Sequence, residues 1–480
     1  SPSLRRIDLS FSEGLMRTPD FTGMPNLEYL NKYWCYNLEE VHHSLGCCSK
    51  LIQLDLSNCA SLERFPCVNV ESLEYLSLEY CSSLEKFPKI HGRMKPEIQI
   101  RMQGSGIREL PSSITQYQTH ITELYLRCMN NLVALPSSIC RLKSLVVLDV
   151  SECSKLESLP EEIGNLDNLE ELHAIDTLIS RPPSSILRLN KLKILKFGGF
   201  KNRVHFEFPP VAEGLRSLEY LDLSYCNLID GGLPEDIGSL SSLKKLNLRG
   251  NYFEHLPRSI AQLGALRILD LRYCKGLTQL PELPPELKTI HADYWRKDSI
   301  CNSLFQNISS ASDSLSLRVF TSVDPYYDSI RRIPSWFLHQ GMDRSVSLNL
   351  PENWYMPDKF LGFAVCYSGR LVDTTTQLIP VCDDGMSWMT RKLALSNHSA
   401  CDTSKWHTVN CVHFLLVALA VLWDTSNKAN GKTPNDYGLI RLSFSGEVKM
   451  YGLRLLYKEE AEVEALSQMR ENNNEPTEHS

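Results

Sequence analysis

Three clusters in this chain of 480 residues carry side chains whose types and spacing could do chemistry. Gly431-Lys432-Thr433 has the ending of a phosphate-binding loop, in which backbone N–H groups and a lysine cradle phosphate oxygens. That loop needs a glycine five residues earlier, but Ser426 stands there, and Pro434 sits where the following helix should begin. Nucleotide binding is therefore not expected. Cys401, His407, Cys411 and His413 fall within thirteen residues and are all zinc-ligand types. Structural zinc sites usually arrange such ligands as two close pairs; this spacing does not, and His413 lies inside an apolar run. Asn307-Ile308-Ser309 and Asn397-His398-Ser399 match the glycosylation acceptor pattern, and both read as chance matches. No nucleophile elbow, metalloprotease helix or paired carboxylates in a recognisable setting occur. The expectation is a chain with no catalytic residues, no metal and no cofactor.

The elements that dominate the chain are repeats. The pattern Leu-x-x-Leu-x-Leu-x-x-Cys/Asn begins clearly at Leu51, Leu73, Leu145, Leu218, Leu243 and Leu266, and more weakly at Leu4, Leu27, Glu97, Ile121, Leu169 and Leu192. A truncated copy at Leu287 closes a series of 13 units whose starts differ by 21 to 26 residues. This is the period of leucine-rich repeats. Each unit reads as a short strand, with Leu54 and Leu56, or Leu76 and Leu78, pointing inward. Proline, as in Leu135-Pro136-Ser137-Ser138-Ile139, ends the strand and steers the convex return. The ninth position is Cys at 35, 59, 81, 153, 226 and 274 and Asn at 251, where a small buried thiol fills space and donates weakly. Six of the 16 cysteines are so explained without disulfides, which predicts a reducing, cytoplasmic setting with the nucleus as a second compartment. Lys32 occupies a slot that elsewhere holds leucine, and the unit at Glu97 is poor. Drift in tolerant repeats is the plain reading, and a local bend is the alternative.

Stacked repeats join their strands into one parallel sheet with an exposed concave face, where partners usually bind. The aromatic residues at exposed strand positions are Phe11, Tyr29, Tyr33, Trp34, Tyr75, Tyr80, Tyr125, Tyr220, Tyr225 and Tyr273. Asp55, Glu79, Glu123, Asp149, Glu152, Glu171, Asp222 and Asp270 mix there with Arg101, Arg127, Lys196, Lys245, Arg249 and Arg272. Tyr, Trp and Arg most often anchor protein interfaces. The binding set expected is Tyr29, Tyr33, Trp34, Tyr75, Tyr80, Arg101, Tyr125, Arg127, Tyr220, Tyr225, Lys245, Arg249, Arg272 and Tyr273. A face of roughly 58 by 13 Å, on the order of 750 Å², matches the ~800 Å² per partner of a standard interface.

Composition agrees with a soluble chain: 42% hydrophobic and 22% charged residues, with a net charge of −7 that gives no pull toward nucleic acid. The longest apolar run, Val412 to Trp423, is too short for a membrane helix, which needs about 20 residues. The expected domains are a solenoid over 1–292, a Ser-rich linker over 293–320, a β-sandwich over 321–457 and a disordered acidic tail over 458–480. The sandwich is read from strand-like segments Ser345 to Leu350, Phe360 to Tyr367, Cys411 to Trp423, Leu439 to Phe444 and Lys449 to Tyr457. Because Ser1-Pro2-Ser3-Leu4 enters a repeat at once, the start reads as an internal boundary. The fold class expected is an α/β leucine-rich-repeat solenoid followed by an all-β jelly-roll or Ig-like domain.

The ninth-position cysteines followed by Leu-Pro-x-x-Ile resemble plant immune receptors of the TIR, nucleotide-binding, leucine-rich-repeat class. Ile333-Pro334-Ser335-Trp336-Phe337, Leu350-Pro351-Glu352-Asn353-Trp354, Phe360-Leu361-Gly362-Phe363-Ala364-Val365-Cys366 and Tyr451-Gly452-Leu453-Arg454-Leu455-Leu456-Tyr457 resemble that class's post-repeat domain, the C-JID. The resemblance implies that a pathogen effector, of a virus for instance, binds the concave face together with post-repeat loops. It implies intramolecular contacts with TIR and nucleotide-binding domains that this sequence does not contain. Only the full-length activated receptor would then form a tetramer, in which the TIR domains cleave NAD. Two other readings use the same face: a substrate-recruiting scaffold or adaptor, and an extracellular receptor ectodomain.

Overall fold

The computed structural model describes residues 2–111, 114, 120–199, 205–211, 214–287, 289–292, 318–323, 337, 339–341, 344–369, 372–381, 388–393, 411–423, 431–446 and 448–457. The chain forms two compact units, Ser1–Leu246 and Asn247–Ser480.

The first unit is built from three-residue strands. β1 (Arg6–Asp8), β2 (Tyr29–Asn31), β3 (Gln53–Asp55), β5 (Tyr75–Ser77) and β7 (Gln99–Arg101) form one parallel ladder. β4 (Val68–Asn69) and β6 (Ile90–His91) pair separately. A second parallel run holds β8 (Glu123–Tyr125), β9 (Val147–Asp149), β10 (Glu171–His173), β11 (Ile194–Lys196) and β12 (Tyr220–Asp222). β13 (Lys245–Asn247) crosses the division. The register sets leucine beside leucine, Leu30 with Leu54 and Leu54 with Leu76, all three within 1% of full burial. No unit could bury these side chains alone, so burial is what stacks the repeats. The ladder stops between β7 and β8, after the poor unit at Glu97. The backbone bond from Gly104 N–H to Arg127 C=O, at 2.7 Å, still links the two repeats.

On the return side, prolines stand at the entrance of short 3-10 turns. Pro136 precedes Ser137–Arg141 and Pro183 precedes Ser184–Arg188, both with extended backbone. Proline lacks the N–H that a strand needs and its fixed φ suits this entry.

In the second unit, β14 (Ile268–Leu271) and β15 (Thr289–Ala292) complete the repeats. β16 (Arg318–Val323) pairs parallel to β15, joining Ile290 to Phe320. It also pairs antiparallel to β22 (Cys411–Val417). The same sheet continues through β19 (Phe360–Gly369), β24 (Val448–Tyr457) and β17 (His339–Gly341). A second, antiparallel sheet holds β18 (Ser345–Asn349), β23 (Tyr437–Phe444), β20 (Thr374–Pro380) and β21 (Met389–Leu393) in the order β18-β23-β20-β21. Val346, Leu348, Leu378 and Ile440 of one sheet share a buried cluster with Phe363, Val365, Leu415 and Leu453 of the other. The two antiparallel sheets make the expected sandwich.

β16 begins three residues before the sandwich start expected at 321. The last repeat strand, β15, ends at Ala292, and its sheet continues directly into β16. The apolar run expected as a single strand ends at Val417, and Leu419–Leu422 is one helical turn. Of the post-repeat motifs, Trp354 is buried, donates its indole N–H to Tyr437 C=O at 2.9 Å and packs its ring 5.1 Å from Phe360. Gly362, at φ +152°, marks a bulge whose added Cβ would meet Val417 C=O. Residues 333–336, most of the expected linker and the tail over 458–480 lie outside the described residues.

Candidate interaction face

The ninth-position side chains anchor the turn leaving each strand. Cys59 Sγ donates to Lys32 C=O at 3.1 Å, Cys81 to Leu56 at 3.1 Å and Cys153 to Leu126 at 3.0 Å. In the second unit Cys274 reaches Leu248 at 3.2 Å, and Asn251 donates to that same carbonyl at 2.7 Å. These cysteines are free and buried. Burial pushes the Cys59 and Cys153 thiols up to about 12, which keeps them unreactive.

One position earlier, the backbone is left-handed. Phe11, Trp34, Asn58, Tyr80, Cys128, Glu152, Asp176, Tyr225 and Tyr273 have φ between 56° and 63°, and Gly104 has 69°. A left-handed turn costs a non-glycine residue on the order of 1 kcal/mol, yet bulky rings hold five of these places. The sequence signal was present, since Asn58, Asp176 and Gly104 are residues that tolerate this conformation, but the repeat pattern alone did not expose it. Gly104 is required twice over, because an added Cβ would collide with the Tyr80 ring.

The expected aromatic set falls into four local groups within the first unit. Phe11, 65% exposed, meets Tyr33 edge-on at 5.5 Å, and Tyr33 lies 5.9 Å from Trp34. Arg6 covers Tyr29 at 4.5 Å. On β5 and β7, Arg101 lies 5.9 Å over Tyr75. Burial raises both the Tyr75 hydroxyl and the nearby Glu79 carboxyl above their ordinary values. Farther along, exposed Tyr125 donates to Glu123 at 3.3 Å, and Arg127 pairs with Glu152 at 3.1 Å. Burial and then Glu123 raise the Tyr125 hydroxyl. Tyr220 sits between Lys196, at 5.3 Å, and Lys245, at 4.5 Å.

In the second unit Arg249 stacks 4.6 Å from the Tyr273 ring. Arg272 departs from the expected exposed set: it is 7% exposed and its Nε bonds Asp270 at 2.9 Å. Burial opposes the Asp270 charge, but the Arg272 hydrogen bonds outweigh it and hold the carboxyl below its ordinary value. Asp149 and Asp222, expected on the surface, are likewise buried. Their short side chains turn back to accept the N–H two residues on, from Ser151 at 2.9 Å and Ser224 at 3.0 Å.

Among the described residues, no His, Cys, Asp or Glu group could hold a metal ion. Cys401 and His407 lie outside them, and His413 is buried with its ring 5.1 Å from Tyr367. Thr433 caps the 3-10 turn Pro434–Asp436 through Asp436, a structural use of the Gly-Lys-Thr segment. No described helix is long and apolar enough to cross a membrane.

Repeats, sandwich and face define a leucine-rich-repeat chain with a C-JID domain behind it. The C-JID domain model matches residues 329–462, the leucine-rich repeats of RPS4B-like disease resistance proteins match 69–159, and the general leucine-rich repeat matches 217–240 and 242–263. These domains are the ones that plant disease-resistance proteins carry, and the chain is similar to several of those proteins. It is 69% identical over its whole length to TMV resistance protein N of Nicotiana glutinosa, covering 44% of that protein. It is 32% identical over 75% of its length to the disease resistance-like protein DSC1 of Arabidopsis thaliana, covering 32% of it. Disease resistance protein RPS4 of the same plant is 25% identical over 81% of the chain, which covers 31% of RPS4. The chain thus spans less than half the length of these relatives. Both domain kinds it contains are non-catalytic, and repeats of this kind are protein-interaction modules.

Proposed function

We propose that this chain is the ligand-sensing part of a plant disease-resistance receptor. It binds a pathogen protein through the concave strand face and loops of the C-JID domain, and so triggers defence and cell death. The observation that carries this reading is the set of half-exposed Tyr, Trp and Arg side chains on β2, β5, β7, β8 and β12 and on the turns that follow strands, several held in a costly left-handed backbone. Relatedness to a protein named for resistance to a tobacco virus makes a viral protein the first ligand to try. The role asks for no cofactor. Its place is inside the cell, in cytoplasm and nucleus, with TIR and nucleotide-binding domains supplied by the intact receptor, which alone would form a tetramer. Replacing Tyr75, Tyr125 and Tyr225 together by Ala in the intact receptor should abolish ligand-dependent cell death while the melting temperature stays put. Unchanged cell death would remove the concave face from the account.

A further inference from the structure

Several cations beside the exposed strands of the first unit pair with a carboxylate, while Arg6 and Arg101 each lie singly over a tyrosine ring. Arg127 pairs with Glu152 at 3.1 Å, Lys193 with Glu170 at 2.6 Å and Lys244 with Glu219 at 2.9 Å. Lys196 and Lys245 differ. Each lies against the Tyr220 ring, at 5.3 and 4.5 Å from its centre, and neither is ion-paired among the described residues. The carboxylate between them, Asp222, is buried and occupied: it accepts from the Tyr220 hydroxyl at 2.8 Å and from Ser224 N–H and Oγ–H at 3.0 and 2.6 Å. That set of bonds fixes the ring, and the ring in turn holds two half-buried ammonium groups on one side of the sheet.

We infer that Lys196 and Lys245, spread over Tyr220, receive a carboxylate from an acidic segment of the partner protein. This rests on the concave face being the binding surface and adds the chemistry of what meets it there. Two like charges gathered on one ring repel each other, so an incoming carboxylate gains attraction from both and relieves that repulsion. Partial burial weakens the screening such a contact would suffer in open solvent.

The test uses the whole chain and a fluorescein-labelled oligoglutamate peptide, read by fluorescence anisotropy at low salt. Oligoglutamine of the same length and a single-stranded DNA of the same charge serve as comparison probes. The double variant Lys196→Ala/Lys245→Ala should weaken oligoglutamate binding by about tenfold or more. Lys193→Ala/Lys244→Ala removes the same net charge and should change it by less than about threefold. Charge reversal, Lys196→Glu/Lys245→Glu, should raise oligolysine binding well above that of the equally charged Lys193→Glu/Lys244→Glu variant, a difference that net charge alone cannot produce. Equal losses in the two alanine doubles, no binding of oligoglutamate by the wild type, or preferential binding of DNA would each overturn the inference. None of these outcomes bears on the tyrosine triple, so the wider face stands or falls separately.

Discussion

Lys32 is the residue that sits worst in its surroundings. It fills a leucine slot, is fully buried, and its Nζ finds no hydrogen-bond partner. Burial pulls its ammonium down to about 8, with only the Cys35 and Cys59 thiols nearby to oppose the fall. From an ordinary 10.5, that shift corresponds to about 3 kcal/mol against the charged form. Lys32→Leu should therefore raise stability by about 2–3 kcal/mol at pH 7, read from urea melts. Because the folded value lies below the unfolded one, the penalty is complete below pH 8 and fades as pH rises through 10.5. The gap between wild type and variant should close over that range; a constant gap would mean that the ammonium is not the cause. The slot mismatch was visible in the sequence, but the missing partner was not, since only the packed neighbours reveal it. Trp34 poses a milder conflict, 44% exposed at φ 62°. Asparagine tolerates that backbone, so Trp34→Asn should keep or raise the melting temperature while weakening ligand binding. A loss of both would assign Trp34 to the fold instead.

At the scale of elements, the strands of the repeats were legible because a period of about 24 residues brings leucine back to the same inward place. The sandwich was less so. β18, β19, β23 and β24 alternate or run apolar and were readable, whereas β20, Thr374–Pro380, is built on buried Thr374 and Thr376, which polarity disguises. Where a strand pairs with a distant one, as β15 with β16, local pattern has nothing to say. The ninth-position bond gives the repeats their turn. Cys153→Ala should cost about 1–2 kcal/mol by leaving Leu126 C=O unsatisfied in a buried place. Cys153→Asn should cost no less, since Asn251 bonds the carbonyl three residues before it in its own turn and not the one in the preceding repeat that Cys153 reaches. A clearly smaller loss for Asn would show that a donor within the turn suffices and that Leu126 C=O is not what matters.

For the whole molecule, the sequence reading named a binding face without a ligand, and the structure sharpened which side chains can serve it. Arg272 turned inward to Asp270, while Tyr75, Tyr125, Tyr220 and Tyr225 stayed at least partly exposed on the strands and their following turns. Exposure and ion pairing depend on neighbours one repeat away, so they could not be read from spacing within a repeat. On the proposed function, what joins these residues is a partner protein that covers several repeats at once. The most direct test is to purify the tagged chain from virus-infected tissue beside the Tyr75→Ala/Tyr125→Ala/Tyr225→Ala variant, and to compare the proteins each retains by mass spectrometry. The account predicts a pathogen-encoded protein held by the wild type and lost from the folded variant; equal retention by both, or none by either, would contradict it.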